Sequence, residues 1–179
     1  MLAALYYVLK GDPYKALKED LESLKKAKLL TEDLRITEKG MELIQQLISK
    51  PISLKGKVVS GDGEGRYYLS LEGYRRQVRE KLGFDPFPGT LNVLLDPTST
   101  EKKSTLMFKR PIILKGFTEN GKRYGEVLAF PARVSGVEAA LVIPLKTHHP
   151  PEIIELISPV ELRKALKLKD GDEVEVLVY

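Results

Sequence analysis

The feature that most limits what this chain can fold into is a change of texture at Pro51. Before it, apolar residues recur at three- and four-residue steps. After it, most of the chain breaks into short runs of strand-forming residues set off by turn residues. Such runs are Ile52 to Ser60, Arg66 to Leu71, Thr90 to Leu95, Arg110 to Leu114, Arg123 to Phe130, Ala132 to Val137, Ala139 to Pro144 and Glu173 to Tyr179. Asn120-Gly121 is a strong hairpin signal, because both residues tolerate a positive φ. Two helices interrupt the strands. One carries Tyr74, Val78 and Leu82 on a single face and stops at Gly83; the other is expected over Ser158 to Leu166, with Ser158 as N-cap and Pro159 at the first helical position. Short strands with helical interruptions define a mainly β fold, a small β-barrel with helical insertions.

Residues 1–50 read as a separate helical region. Leu2 to Leu9 is an apolar helix stopped by Gly11-Asp12-Pro13, and Tyr14 to Leu30 carries Leu17, Leu21 and Leu24 as a stripe. A short strand-like piece then leads to a helix over about Glu38 to Ile48, with Thr37 as N-cap. This order resembles the second half of a winged helix-turn-helix, shortened by about one helix. It therefore reads as a degenerate, partial winged-helix-like cap. Nine Lys and Arg stand against eight Asp and Glu here, which is little electrostatic footprint for a DNA reader. The expected domains are thus a helical region, 1–50, and a β-barrel domain, 51–179.

Composition removes several chemistries. Cysteine is absent and the two histidines, His148 and His149, are adjacent, so disulfides, thiolate catalysis and multi-histidine metal sites are excluded. No apolar run approaches the roughly 20 residues of a membrane helix, and the N-terminus lacks a signal-peptide pattern, so the expectation is a cytoplasmic protein with no membrane partner. A formal charge of +4 favours anionic partners only mildly.

The stretch Ser60-Gly61-Asp62-Gly63-Glu64-Gly65-Arg66 sets three alternating glycines and an arginine between two strand-like runs. Glycines let a backbone approach a phosphate and point successive N–H groups at it, and Arg66 offers a planar fork for phosphate oxygens. A hairpin turn is the competing reading of the same residues. Because the loop is expected to run into a strand at Tyr67-Tyr68-Leu69, it does not match the dinucleotide fingerprint, which opens a helix. No P-loop motif occurs either. Thr90 and Asn92, two apart in a strand, project to one face. Two neutral oxygens there suit Mg²⁺ arriving with a nucleotide, whereas a polar pair satisfied by its neighbours is the plainer alternative. The segment from Lys146 through Thr147, Glu152, Glu155 and Glu161 to Arg163 concentrates the remaining ionisable groups.

Together, Gly56 to Tyr67, Gly83 to Asn92, Lys146-Thr147-His148-His149, Glu152-Ile153-Ile154-Glu155 and Leu162-Arg163 closely resemble the archaeal CTP-dependent riboflavin kinases over about residues 54–179. The resemblance implies a cradle-loop β-barrel that transfers a phosphoryl group from CTP to the 5′-hydroxyl of riboflavin, giving FMN and CDP. It implies that Gly61, Asp62, Gly63, Glu64, Gly65 and Arg66, with Val160, Glu161, Leu162 and Arg163, bind the nucleotide, and that Thr90 and Asn92 hold Mg²⁺. Thr147 and Glu155 would contact the flavin, and Glu155 is the candidate for orienting or deprotonating the attacking hydroxyl. Some members carry a complete winged helix-turn-helix and act as regulators, so the alternative function is a DNA-binding regulator of the riboflavin pathway. The expected state is a monomer or homodimer.

Overall fold

The computed structural model describes residues 1–146 and 150–179. They form two compact units, one from Met1–Ile52 with Lys102–Arg110, the other from Ser53–Glu101 with Pro111–Tyr179. Among the described residues no helix is long and apolar enough to cross a membrane.

The first unit is helical: α1 (Leu2–Leu9), α2 (Lys18–Lys26) and α3 (Glu38–Ser49), with a 3-10 turn at Ser104–Phe108. Leu5, Leu24 and Ile44 are fully buried and pack with Phe108, whose ring meets Tyr6 edge-on at 5.8 Å. Thr37 caps α3 as its sequence position predicts, its Oγ1 accepting from the Gly40 N–H at 3.1 Å. The helix expected from Tyr14 begins only at Lys18. Pro13 opens a 3-10 turn over Pro13–Lys15, Ala16 and Leu17 are extended, and Leu17 is left exposed outside the apolar stripe. The insertion Lys102–Arg110 is fastened by Lys109, which donates to the carbonyls of Ile48 and Lys50 at 2.8 and 2.6 Å at the end of α3.

The second unit is mainly β. Its strands are β1 (Ile52–Val59), β2 (Leu91–Leu95), β3 (Ile112–Leu114), β4 (Phe117–Glu119), β5 (Lys122–Tyr124), β6 (Val127–Val134), β7 (Val137–Pro144), β8 (Ile153–Ile157) and β9 (Glu173–Val178). Seven of them form one sheet in the order β3-β6-β7-β8-β2-β1-β9. β6 divides one edge between two partners: residues 127–129 pair with β3, residues 132–134 with β9. The second pairing returns the sheet on itself, giving the β-barrel-like form that the spacing of short strands predicts. Val58, Val93, Leu141, Leu156 and Val176 are fully buried inside it. β4 and β5 make a separate hairpin across Asn120 and Gly121, both at positive φ. β6 and β7 turn at Ser135 and Gly136, also both at positive φ, so the strand expected from Ala132 to Val137 is in fact a hairpin.

Three more elements differ from expectation. Glu64–Ser70 is a helix, α4, where Arg66 to Leu71 reads as a strand. Gly63, at φ +82°, turns the chain into that helix, and burial of Leu69 against the barrel outweighs the β-propensity of the paired tyrosines. α5 (Glu72–Leu82) follows at once and ends at Gly83, in the left-handed conformation, as predicted. Pro97–Lys103 is helical, α6, rather than a polar connection. The last helix, α7, spans only Leu162–Ala165 with Glu161 as its N-cap. Ser158 lies three residues ahead of that N-cap; its buried hydroxyl donates to the Glu138 carbonyl at 2.6 Å and accepts from the Val160 N–H at 3.4 Å, so it organises the turn before the helix and not the helix itself.

Candidate active site

β2 lies between β1 and β8, and its register sets the site. Asn92 stands opposite Val59 on β1 and opposite Glu155 on β8. Directly opposed residues on antiparallel strands share a face, so the Asn92 carboxamide and the Glu155 carboxylate are neighbours. Thr90, at the entry to β2, joins them: its hydroxyl donates to Glu155 Oε1 at 3.3 Å and accepts from Asn92 Nδ2 at 3.5 Å. Asn92 is buried, Thr90 and Glu155 half-buried.

The glycine loop folds over this triad, and each glycine has its own reason. A side chain at Gly61 would strike the Asn92 carboxamide. At Gly65 a Cβ would lie 2.6 Å from Thr90 Oγ1 and 2.7 Å from its Cγ2. Gly63 faces open space but sits at φ +82°, where an L-residue is strained. Two glycines thus permit close approach, and one permits the turn. Asp62 Oδ1 accepts from the Glu64 N–H at 3.2 Å, an Asx turn that shapes the loop from within.

The opposite wall comes from the segment after β8. Together these pieces line one cleft of about 430 Å³, a size that suits a small-molecule site. Of the residues singled out in the sequence, Gly61, Gly63, Gly65, Arg66, Thr90, Asn92, Val160, Glu161, Leu162 and Arg163 line it. Asp62 and Glu64 lie in the loop without lining the cleft, and Glu155 is placed behind Thr90. Thr147, with His148 and His149, falls outside the described residues. Arg66 makes no side-chain hydrogen bond or ion pair among the described residues, so its guanidinium is available to an anion in the cleft.

Arg163 is engaged. It donates to the Val59 carbonyl at 2.9 Å and pairs with Asp170 at 2.7 Å. Asp170 also accepts from the Ser60 hydroxyl at 2.6 Å. One carboxylate therefore joins the start of the glycine loop to the α7 wall. The Ser60 hydrogen bond, with Arg163 beside it, holds the Asp170 carboxyl below the usual carboxylate range. Sequence reading missed Asp170, which looked like one residue of a Lys169-Asp170-Gly171-Asp172 turn; only the pairing of the sheet brings that turn to Ser60. The turn is fixed to β1 by Gly171 N–H to Val58 O and Val58 N–H to Asp172 O, each 2.8 Å.

The donor set fits a magnesium ion that travels with a nucleotide. Thr90 and Asn92 offer adjacent neutral oxygens with a carboxylate in reach, and Gly61 and Gly65 keep the space over them free of side chains.

Residues 58–178 match the model of the CTP-dependent riboflavin kinase domain (domain of unknown function DUF120). A riboflavin kinase of Pyrobaculum aerophilum is 50% identical over 151 residues, covering 80% of this chain and 72% of its own. One from Archaeoglobus fulgidus is 51% identical over 152 residues, covering 80% of this chain and 65% of its own. One from Pyrococcus abyssi is 47% identical over 152 residues, covering 81% and 70%. The protein is accordingly a phosphotransferase with an alcohol acceptor. More narrowly, the chain belongs to the CTP-dependent riboflavin kinase family.

Proposed function

We propose that this chain transfers the γ-phosphoryl group of CTP to the 5′-hydroxyl of riboflavin, with the cleft between the glycine loop and α7 as the nucleotide site. The observation that carries the assignment of residues is the convergence of Gly61, Gly65, Thr90, Asn92 and Arg163 on one cleft, with Glu155 hydrogen-bonded behind Thr90. The loop N–H groups and Arg66 receive phosphate oxygens, and Arg163 with Val160 to Leu162 forms the far wall. Thr90 and Asn92 would hold Mg²⁺, which when bound neutralises phosphate charge. Phosphoryl transfer asks mainly for in-line positioning and charge stabilisation, which such parts supply.

Glu155 orients the acceptor. The 5′-oxygen attacks the γ-phosphorus, the bond from that phosphorus to the β-phosphate oxygen breaks, CDP departs, and the hydroxyl proton passes to the Glu155 carboxylate. Thr147 is retained as a flavin contact on the resemblance alone. We read the barrel as of the cradle-loop type and the helical unit as a degenerate winged-helix-like region of a cytoplasmic enzyme; no observation favours DNA binding by that unit.

The test is a phosphorylation assay with riboflavin, comparing CTP and ATP at fixed Mg²⁺, on the wild type and on Thr90→Ala and Asn92→Ala. FMN formed with CTP, and a raised Mg²⁺ requirement in both variants, is the expected result. Protein that binds neither CTP nor riboflavin overturns the activity, and an unchanged Mg²⁺ requirement overturns the metal assignment.

A further inference from the structure

The hairpin of β4 and β5 stands outside the seven-stranded sheet, yet its side chains converge on the two helices that follow the glycine loop. α4 and α5 meet at Leu71, an extended residue that ends one helix and starts the other, and its apolar side chain gives α5 no cap. The first N–H groups of α5 therefore need a partner from elsewhere. Glu119, at the end of β4, supplies one: its Oε2 accepts from the Gly73 N–H at 3.2 Å. A carboxylate there also suits the positive end of the helix. A Cβ on Gly73 would strike the Phe117 ring, so this glycine lets the hairpin sit against the helix start.

β5 holds the neighbouring helix as well. The Tyr124 and Tyr67 hydroxyls are 2.6 Å apart, one donating to the other, and the Lys122 ammonium stands 5.4 Å from both ring centroids, within cation–π range. Just past β5, the Gly125 carbonyl accepts from the Tyr74 hydroxyl of α5 at 2.6 Å. The hairpin thus holds the α4–α5 elbow at Tyr67, Gly73 and Tyr74. Immediately ahead of those points is the glycine loop. Tyr67 is one residue beyond Arg66 and two beyond Gly65, which fits over Thr90 with no room for a methyl group. α4 has only seven residues, one of them buried, and lies between Gly63 at positive φ and the extended Leu71. So short a helix does not fix its own direction, which is set by the groups that hold its side chains.

We infer that Glu119 and Tyr124 are positioning residues for the nucleotide: acting through Gly73 and Tyr67, they hold α4 at the angle that keeps Gly65 over Thr90 and Arg66 at the cleft. The inference rests on the nucleotide-site reading and adds to it two residues that do not line the cleft. A loop released from this clamp spends only a fraction of its time in the binding-competent position, and the apparent affinity for nucleotide falls by that fraction. A bound nucleotide restores the position for the chemical step. The signature is therefore weaker nucleotide binding with turnover kept at saturation.

The experiment measures CDP binding by calorimetry, and FMN formation at varied CTP and riboflavin, with thermal melts alongside. It uses the full chain and its Tyr124→Phe, Tyr67→Phe, Tyr67→Phe/Tyr124→Phe, Glu119→Ala and Glu119→Gln variants. Tyr124→Phe and Glu119→Ala are each expected to weaken CDP and raise the KM for CTP about 3- to 10-fold, the worth of one hydrogen bond. Their kcat is expected to stay within about 2-fold of wild type and their KM for riboflavin to be unchanged. The double tyrosine variant has one shared bond to lose, so it is expected to bind CDP no worse than the weaker single variant. Glu119→Gln keeps an oxygen for the Gly73 N–H and is expected to restore most of the affinity. Lowered melting temperatures with wild-type CDP affinity would make the hairpin a structural brace only and overturn the inference. A raised KM for riboflavin with that for CTP unchanged would also overturn it, by placing the hairpin at the acceptor. Should Tyr124→Phe fail to melt cooperatively, Glu119→Ala with wild-type CDP affinity decides against the inference in its place. A wild type that binds riboflavin but no CDP overturns the nucleotide-site reading itself, and that outcome is distinct from the others.

Discussion

Gly65→Ala is the substitution whose consequence can be worked most directly from the structure. The added methyl would lie 2.6 Å from Thr90 Oγ1, and ordinary van der Waals contact begins near 3.4 Å, so about 0.8 Å must be found between the loop and the β2 entry. The neighbour that has to give is the first carbon and oxygen of a β-branched side chain, which has no flexible end to swing aside. Thr90 therefore moves, and its 3.3 Å hydrogen bond to Glu155 moves with it. A misplacement of about 1 Å at a reacting centre costs about 10²-fold in rate. We expect kcat to fall about 30- to 100-fold, which is roughly 2 to 2.7 kcal/mol in activation free energy. Overpacking is expected to lower stability by about 1–3 kcal/mol. Gly63→Ala is the contrast: it meets nothing within 4 Å, and its penalty is the left-handed conformation, about 1–2 kcal/mol. It should raise the KM for CTP while leaving kcat within a few-fold. The assay is steady-state FMN formation at varied CTP and riboflavin, with thermal melts as control. Gly65→Ala should also couple to Thr90→Ser, which removes the methyl on Thr90 and relieves part of the clash. A Gly65→Ala enzyme with wild-type kcat, or additivity of the two changes, would refute this account of the loop.

Three further perturbations separate positioning from chemistry. Glu155→Gln keeps the shape of the side chain but not its basicity, and it is expected to lower kcat by at least 10²-fold with CDP affinity retained; full turnover with only weaker riboflavin binding would remove Glu155 from proton transfer. Asp170→Asn is expected to raise the KM for CTP about 5- to 10-fold by loosening the charge-assisted contacts that tie Ser60 and Arg163 together. Since the Asp170 carboxyl is held below its ordinary value, its contribution to stability is complete above the unfolded value near 4 and is lost as pH falls through the depressed folded value. Acid unfolding of wild type and variant should therefore converge only below that range, and a constant difference down to the lowest pH would count against the ion pair. In the helical unit, burial pulls the Lys109 ammonium below the usual lysine range, and Lys109→Met leaves two carbonyls at the end of α3 without their donor. A loss of about 2 kcal/mol is expected, read as faster amide exchange in the last turn of α3; unchanged protection would show that the insertion is held by its apolar contacts, Met107 and Phe108.

The legible part of the fold was the part governed by local chemistry. Asn120-Gly121, Thr37 and Gly83 announce a hairpin, an N-cap and a C-cap because each needs a conformation that few residues supply. Ser135-Gly136 carries the same information, and was hidden because the strand-formers Ala132 to Val137 ran past it. Ser158-Pro159 has the composition of a helix start, but the register of β8 beside β7 places the Ser158 hydroxyl at the Glu138 carbonyl, in the turn before the helix, and the helix begins later. The pairs that build the site were partly legible. Thr90 and Asn92 follow from period-two geometry within one strand. The placing of Glu155 beside Asn92, and of Asp170 beside Ser60, follows from which strands are neighbours, and no local pattern contains that.

The glycine loop shows how a correct exclusion can rest on an incorrect element. Its separation from the dinucleotide-binding loops was argued from an expected strand at Tyr67-Tyr68-Leu69, yet the loop does open a helix. What separates the two is the sheet. β1, which feeds the loop, pairs antiparallel with β2, and β2 pairs antiparallel with β8, whereas a dinucleotide fold places a parallel crossover behind its glycines. The distinction has a physical consequence for how the loop meets phosphate. In a parallel α/β fold the third glycine serves close packing of the helix on its strand. Here Gly61 and Gly65 are small because Asn92 and Thr90 lie directly beneath them. The loop is therefore shaped by the oxygen pair it covers, and a change at either glycine is felt at Thr90 and Asn92 before it is felt by the nucleotide.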